Sequence, residues 1–357
     1  MTLIVTDPLP GLRIRTKLEE NADEMENTCM RTVIDAGKVS CTNSHGDPVP
    51  YTPDLINAIE EFNANVPATG DYFNIKEKQL MNAYLPIFNQ LKSSIETPEI
   101  SERVPAAMWE GLYRLMFRTE LALYFLQTEG ALPLILASLK SHMEGVIFYV
   151  LMVLKGLVLP SEENRNKELE TANKKTLFEN EEFINTLFDT LDHYATKSTG
   201  TLIILILMEF FQICLSDFRD TTDEAITNSM LTKLSERHTI LLSLFHSNCS
   251  GITMATALIM KTIVEESKPE VASLMQEAAL SEGVLIRHFY NAIFASSEDQ
   301  RFISRYLVGL WMGQHEDSRA LLSRIVPLGM TRYLDAPPLD DEAYAKCIVC
   351  PSLPCDA

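Results

Sequence analysis

Residues 201–215 read TLIILILMEFFQICL, a stretch whose polar side chains are Thr201, Glu209 and Gln212. Residues 146–159 are similar, with Lys155 as their single charge. A membrane-spanning helix needs roughly 20 apolar residues, and both runs fall short. Each therefore reads as a helix buried in protein. A helix this apolar must be covered on nearly all sides. One amphipathic partner cannot do that, whereas neighbours on both sides can, which is the logic of stacked helical repeats.

The text around these runs supports stacking. From about residue 54 the chain is helical in pattern. Asp54 can cap a helix carrying Leu55, Ile56, Ile59 and Phe62. Pro98 and Pro105 break the next stretch. Leu112, Leu115, Met116, Leu123 and Leu126 then share one face of a long helix that stops near Gly130. Four segments follow, each a short amphipathic helix, a small polar turn and a longer apolar helix. The first pairs 130–139 with 146–159, with Pro133 in the first helical turn, where a missing N–H costs nothing. The second pairs a helix marked by Phe183, Ile184, Leu187, Phe188 and Leu191 with 201–215. The third pairs 240–245 with 252–264. In the fourth, Leu285, Phe289 and Ile293 step by four, and Ile303, Tyr306, Leu307, Leu310 and Trp311 form a stripe at i, i+3, i+4, i+7, i+8.

The spacing from Gly145 to Gly200 is 55 residues, from Gly200 to Gly251 51, and from Gly251 to Gln300 49. These periods exceed the roughly 40–47 residues of HEAT and armadillo repeats. Charge-rich loops at 161–175 and 217–228 account for part of the excess. The expected fold is an all-α solenoid of armadillo or HEAT type, with a compact helical bundle as the alternative. The expected division is an irregular N-terminal segment at 1–53, an armadillo-like helical domain at 54–335 and a divergent, Cys-containing tail at 336–357.

Charge narrows the function classes. Forty-nine acidic residues face thirty basic ones, a formal net charge of −19. That balance opposes nucleic-acid binding, which needs a basic footprint, and opposes adsorption to an anionic leaflet. Seven cysteines in a chain of 357 residues form no dense framework, which suits reduced thiols in a cytosolic setting. Cys29, Cys41, Cys214 and Cys249 read as small buried hydrophobes. The N-terminal text lacks a basic and apolar leader pattern, so the Asn248-Cys249-Ser250 triplet reads as chance.

Catalytic signatures are absent. No phosphate-binding glycine pattern and no nucleophile elbow occur. His315-Glu316 opens like a zinc-protease helix but lacks the second histidine. His45, His142, His193, His238, His246, His288 and His315 form no pair at ligand spacing. The acidic clusters Glu265-Glu266, Asp340-Asp341-Glu342 and 179–182 read as solvated helix ends. Cys347, Cys350 and Cys355 offer three of the four ligands a zinc site needs, and the reading adopted is a tail of reduced thiols. No catalytic, cofactor-binding or metal-binding residue is assigned, and no enzymatic activity is expected.

Particular strings carry more than periodicity does. Met275-Gln276-Glu277-Ala278-Ala279-Leu280-Ser281-Glu282-Gly283-Val284-Leu285-Ile286-Arg287-His288 is distinctive. So are Ser304-Arg305-Tyr306-Leu307-Val308-Gly309-Leu310-Trp311 and Leu321-Leu322-Ser323-Arg324-Ile325-Val326-Pro327. Phe62-Asn63-Ala64-Asn65-Val66 and Lys261-Thr262-Ile263-Val264-Glu265-Glu266 fit the same picture. Together, over about 51–334, they resemble the helical region upstream of the J domain in the large endosomal DnaJ-domain proteins of receptor-mediated endocytosis.

The resemblance implies a peripheral protein on the cytosolic face of early endosomes, acting in endosomal sorting and retrograde traffic. It implies an Hsp70 chaperone, a sorting nexin and the actin-nucleating WASH complex as partners. The J domain's His-Pro-Asp triplet occurs nowhere in this chain, so co-chaperone activity is not carried over to it, and the family's lipid-binding modules are expected to be missing. Ile286 and Leu328 stand where the family tends to have Pro, residues 299–304 form a shorter loop, and 336–357 reads as a premature end. The rival reading is a generic armadillo-like peptide-binding adaptor in the cytosol. Such grooves present ladders of Asn and Trp, and the two tryptophans, Trp109 and Trp311, lie far apart. A metal-dependent enzyme using the Cys tail has the least support.

Overall fold

The computed structural model describes residues 28–37, 52–65, 85–95, 101–116, 124–159, 166–217, 224–309 and 316–325, save positions 30, 86, 93, 246, 248, 282, 299–300, 303 and 306. Among the described residues the regular structure is helical, with no β-strand. The expected all-α, solenoid-like class holds. No described helix is long and apolar enough to cross a membrane. The chain divides into two compact units, Met1–Asn173 and Lys174–Ala357.

The first unit holds α1 (Pro53–Asn65), α2 (Arg103–Met116), α3 (Ala131–Leu139) and α4 (Glu144–Val158). Pro53 starts α1, where its missing N–H is harmless, and Asp54 falls inside the first turn, favourable to the helix dipole. Leu55, Ile56, Ile59 and Phe62 are buried together, as their spacing requires. Pro105 breaks nothing: it sits in the first turn of α2 and is buried there. Described α2 ends at Met116, residues 117–123 of the expected long helix lie outside the described residues, and Phe125–Gln127 is a 3₁₀ turn, so the α-helix does not run on to Gly130. Gly130, at φ 85°, precedes α3 instead of ending a helix. Only a residue without Cβ takes that backbone conformation freely, so glycine marks either end of a helix. α1 packs on α2, α2 on α4, and α3 on α4. Residues 31–37, inside the stretch read as irregular, are helical, with Val33 buried.

α5 (Lys167–Phe178) corrects the sequence reading, which made 161–175 a loop. Its start is fixed by reciprocal capping: the Asn166 side chain accepts from the Leu169 N–H at 3.2 Å, and Glu170 accepts from the Asn166 N–H at 3.1 Å. Glu168 and Glu170 lie in its first turn and Lys175 in its last, so its charges oppose the helix dipole at both ends.

The second unit holds α6 (Glu181–Tyr194), α7 (Thr201–Asp217), α8 (Glu224–Glu236), α9 (His238–Leu244), α10 (Ser250–Glu266), α11 (Pro269–Ser281), α12 (Val284–Phe294) and α13 (Glu316–Ile325). Asn180 caps α6, its side chain accepting from the Phe183 N–H at 2.8 Å. The expected face of α6, Phe183, Ile184, Leu187, Phe188 and Leu191, is buried. α7 is covered as its composition demands: Ile203, Ile204, Ile206, Leu207, Met208, Phe210, Phe211, Cys214 and Leu215 are all buried. α6 and α10 pack against it. Phe188 and Phe211 stack at 5.2 Å between centroids, and Phe178 and Phe210 at 6.1 Å. α8 begins inside the stretch expected to be a loop at 217–228. On α12 the buried residues are Val284, Leu285, His288 and Ala292, so the 285/289/293 stripe is only half right. In the stripe of the fourth segment Leu307 is buried. Its other members, Ile303, Tyr306, Leu310 and Trp311, lie outside the described residues.

Ties between successive layers give the repeat length directly. Arg103 meets Glu60 and Glu102 meets Gly145 across 43 residues, and Asn63 meets Ala107 across 44. In the second unit Arg237 meets Asp192 across 45 residues and Lys233 meets Asn185 across 48. These offsets lie nearer the roughly 40–47 residues of HEAT and armadillo repeats than the spacing of the turn glycines did. Those glycines are poor markers because they occupy different structural positions. Gly145 and Gly251 lie in the first turns of α4 and α10, and Gly200 ends a 3₁₀ turn.

Candidate functional site

The first unit carries a recess of about 400 Å³ where α1, α2 and α4 meet. Its lining follows from the layer spacing. Ala64, Ala106 and Ala107 are small, so the helix surfaces leave a depression. Glu60, Asn63, Arg103, Glu110 and Tyr149 supply the polar groups around it. Arg103 donates through Nε and Nη2 to the two carboxylate oxygens of Glu60, both at 2.7 Å. This forked geometry holds the planar guanidinium against α1. The pair is exposed on its arginine side, which limits its energetic weight.

Deeper in, Asn63 Nδ2 donates to the Ala107 carbonyl at 2.9 Å. Its Oδ1 is buried without a hydrogen-bond partner. The two helices approach closely here. A Cβ on Gly111 would stand 3.2 Å from Ile59 Cγ2 and 3.6 Å from that same Oδ1. Glu110 is held from its own helix by Arg114 at 2.6 Å. Tyr149 is pushed up to about 12, first by burial, then by the charge of Glu110 and the hydrogen bond the phenol donates to it. The phenol is therefore a neutral donor at physiological pH. The recess offers hydrogen bonds and paired charges, the equipment of a polypeptide contact.

A second recess, of about 330 Å³, lies in the second unit between α8 and the start of α11. Lys233, Lys268, Asn228, Ser229, Thr232 and Glu236 are among its lining residues. Lys233 Nζ donates to Asn185 Oδ1 at 3.1 Å, so this cation also serves a tie between layers.

The structure places a part of the groups weighed in the sequence. Glu179 pairs with Lys175 at 3.5 Å and Glu265 with Lys261 at 3.7 Å, both within one turn of helix. His193 lies beside Lys197, Nε2 to Nζ 2.6 Å, and His238 Nδ1 lies 3.2 Å from the Ser235 carbonyl. His288 is buried, its Nδ1 3.4 Å from Ser304 Oγ and its ring edge-on to Phe245. His142 sits at φ 57° in the turn before α4. Cys29 and Cys214 are buried cysteines outside any disulfide, and Cys249 is half-buried. Among the described residues no three His, Cys, Asp or Glu side chains cluster as a metal site. His45, His246, His315, Cys41, Asp340, Asp341, Glu342 and the Cys347, Cys350 and Cys355 tail lie outside the described residues.

Sequence reasoning missed Glu60, Arg103 and Tyr149 as site residues. The signal was a 43-residue offset between complementary charges, which becomes visible only once the layer spacing is known. Asn63 did fall within one of the strings that carried the family resemblance.

The chain matches no protein-family profile. The DnaJ homolog subfamily C protein GRV2 of Arabidopsis thaliana is 27% identical to it over 304 residues. That alignment covers 80% of this chain and 12% of the length of the plant protein. The aligned length takes in most of the helical layers described above, and it supports a distant relation between this chain and the DnaJ subfamily C protein.

Proposed function

We propose that this chain is a non-enzymatic helical scaffold, a segment of a DnaJ-type co-chaperone working on the cytosolic face of early endosomes. Its work there is receptor-mediated endocytosis, endosomal sorting and retrograde traffic. The scaffold is the helical stretch 54–335. The observation that carries the reading is the 304-residue alignment with a DnaJ homolog of subfamily C. Two further features support it. Layered helices present extended surfaces suited to protein partners. The charged groups of the recess are paired, Arg103 with Glu60 and Arg114 with Glu110, as in a contact surface.

An Hsp70 partner would act through a J domain carried by a longer protein. A sorting nexin and the WASH complex are the partners through which this segment would work. The test is the tagged full chain expressed in cells. Punctate overlap with an early-endosome marker and co-precipitation of a sorting nexin or WASH subunits are expected. Diffuse distribution with neither partner would overturn the endosomal reading.

A further inference from the structure

A serine can be modified when its hydroxyl is free, its backbone lies outside a helix and its neighbours carry a charge pattern that an enzyme reads. Among the described serines, Ser141, Ser267 and Ser296 have an acid three residues further on: Glu144, Glu270 and Asp299. Two of these hydroxyls are already used. Ser141 Oγ donates to the Ser138 carbonyl at 2.7 Å, and Ser267 Oγ donates to the Ile263 carbonyl. The described threonines with an acid at the same step, Thr32, Thr176, Thr186 and Thr262, lie inside helices that would first have to unwind. Ser296 differs on each count. It lies in the bend after α12, and its side chain is exposed. Its hydroxyl makes no hydrogen bond among the described residues. Exposed Glu298 adds a second acid to Asp299. Its neighbour Ser297 has Gln300 at the third position, and the Ser297 carbonyl accepts from the Arg301 N–H at 3.1 Å.

A second observation points to the same serine. Arg301 Nη1 donates to the Ala295 carbonyl at 2.7 Å and to the Ser296 carbonyl at 3.0 Å. Two acceptors thus occupy that nitrogen and hold the guanidinium against the bend. Its Nε and Nη2 take no partner among the described residues. Those two nitrogens form the parallel N–H pair that fits an oxyanion bidentately. The held carbonyl and the free hydroxyl belong to one residue, so a phosphate on the hydroxyl comes within reach of that edge.

We propose that Ser296 is a phosphorylation site for a protein kinase that selects acids after the serine, with Arg301 as the counter-ion of the new phosphate. Ser296 Oγ attacks the γ-phosphorus of ATP. The bond from that phosphorus to the β,γ-bridging oxygen breaks, ADP leaves, and the hydroxyl proton passes to a carboxylate of the kinase. The product carries a charge of about −1.5 to −2 at pH 7. Arg301 Nε and Nη2 then donate charge-assisted hydrogen bonds to it and tie the phosphate to the bend. Glu298 and Asp299 serve recognition, and Arg301 offsets the charge that results. Such a mark gives the scaffold a surface that is switched by charge. It does not depend on an endosomal address, so its failure and that of the cellular test are separate results.

The test treats the full chain with an acid-directed serine kinase, ATP and Mg²⁺. Peptide mass spectrometry should place phosphate on Ser296. Ser296→Ala should lose that phosphate and Ser297→Ala should keep it. Glu298→Gln with Asp299→Asn should slow incorporation by about tenfold or more. Circular dichroism should show these surface variants folded. Phosphorus NMR should then give a second phosphate ionisation at lower pH in the folded chain than in an unfolded synthetic phosphopeptide of residues 291–302. Arg301→Gln should move the chain's ionisation toward that of the peptide, and the peptide alone supplies the reference should this variant fail to fold. A bare Ser296, phosphate confined to other residues, or incorporation unchanged by loss of the two acids overturns the proposal. Equal ionisation in the folded chain and in the peptide overturns the part given to Arg301.

Discussion

Where α1 meets α2, small residues and polar ties hold the helices. Ala107 and Gly111 let the backbones approach, Asn63 reaches across to the Ala107 carbonyl, and Glu60 takes Arg103 in a forked pair. Trp109, fully buried on the same helix, donates from Nε1 to Ser138 Oγ at 3.0 Å. Where α7 meets α5 and α6 the contact is apolar, with Phe210 stacked on Phe178 and Phe211 on Phe188. The directed bond nearby, Arg237 with Asp192, lies outside the stacked rings. Polar ties specify which residue faces which, since an unpaired buried partner is costly. Interlocking rings specify the same thing by shape alone. Two helical layers of one chain thus reach a defined register by different physics.

The largest effects should come from breaking each kind of core. Trp109→Ala and Phe211→Ala should each cost about 3–5 kcal/mol of unfolding free energy, read from denaturant melts by far-UV circular dichroism. The conservative versions should separate the two regions. Trp109→Phe removes the indole N–H that donates to Ser138, a fully buried hydroxyl, and should still cost about 1–3 kcal/mol. Phe211→Leu loses stacking but orphans no polar group and should cost less than about 1.5 kcal/mol. Equal costs for these two would erase the distinction.

The next pair concerns close approach. A Cβ on Gly200 would lie 2.9 Å from two Tyr194 side-chain atoms and 3.0 Å from the Tyr194 carbonyl. Backbone cannot step aside, so Gly200→Ala should cost about 1–3 kcal/mol. On Gly251 the nearest obstacle is Leu205 Cδ1 at 2.7 Å, the end of a side chain. A shifted rotamer and the better helix propensity of Ala nearly offset, leaving Gly251→Ala within about 1 kcal/mol of wild type. A larger loss at Gly251 would mean that the α7–α10 contact is as rigid as the turn before α7.

Smaller still are the ties themselves. Asn63→Ala should cost about 1 kcal/mol, independent of salt. Arg237→Ala loses an ion pair with Asp192 and a guanidinium 4.5 Å over the Phe188 ring. Its cost should also be about 1 kcal/mol, part of it fading at high ionic strength because the pair is partly exposed. A salt-dependent loss at Asn63 would contradict its assignment as a neutral tie.

These regions differ in how far the bare text revealed them. The burial of α7 was legible because a run of isoleucine, leucine and phenylalanine admits no other place. α6 was legible from its 3.6-residue stripe. α5 was hidden by its charge, although Asn166 and Glu170 spell a helix start, because its polar residues include buried ones: Glu170, Asn173 and Lys174. Gly130 read both as the stop of one helix and as the opening of the next, because positive φ serves either end, and the structure has it opening α3. On α12, Phe289 and Ile293 look like core on a helical wheel, and it is His288 that takes the interior, against Phe245 and Ser304. The recess on α1 and α2 could not be read at all. Its residues lie 43 and 44 positions apart, and only packing sets that register.

The smallest predicted effect tests the polar side of the comparison by pH. Tyr149 keeps its proton to about 12, chiefly through burial and then through Glu110. In the unfolded chain a tyrosine loses its proton near 10. The folded state therefore holds this proton more tightly, and its contribution is complete below about pH 10 and lost as pH rises toward 12. Phenolate absorbance of wild type minus Tyr149→Phe should show one tyrosine titrating late. Glu110→Gln should bring that titration earlier while leaving it above the ordinary tyrosine value, because burial is the larger cause. A return all the way to the ordinary value would make Glu110 the main cause and would mean that water reaches the phenol, so that the recess is wetter than its packing implies.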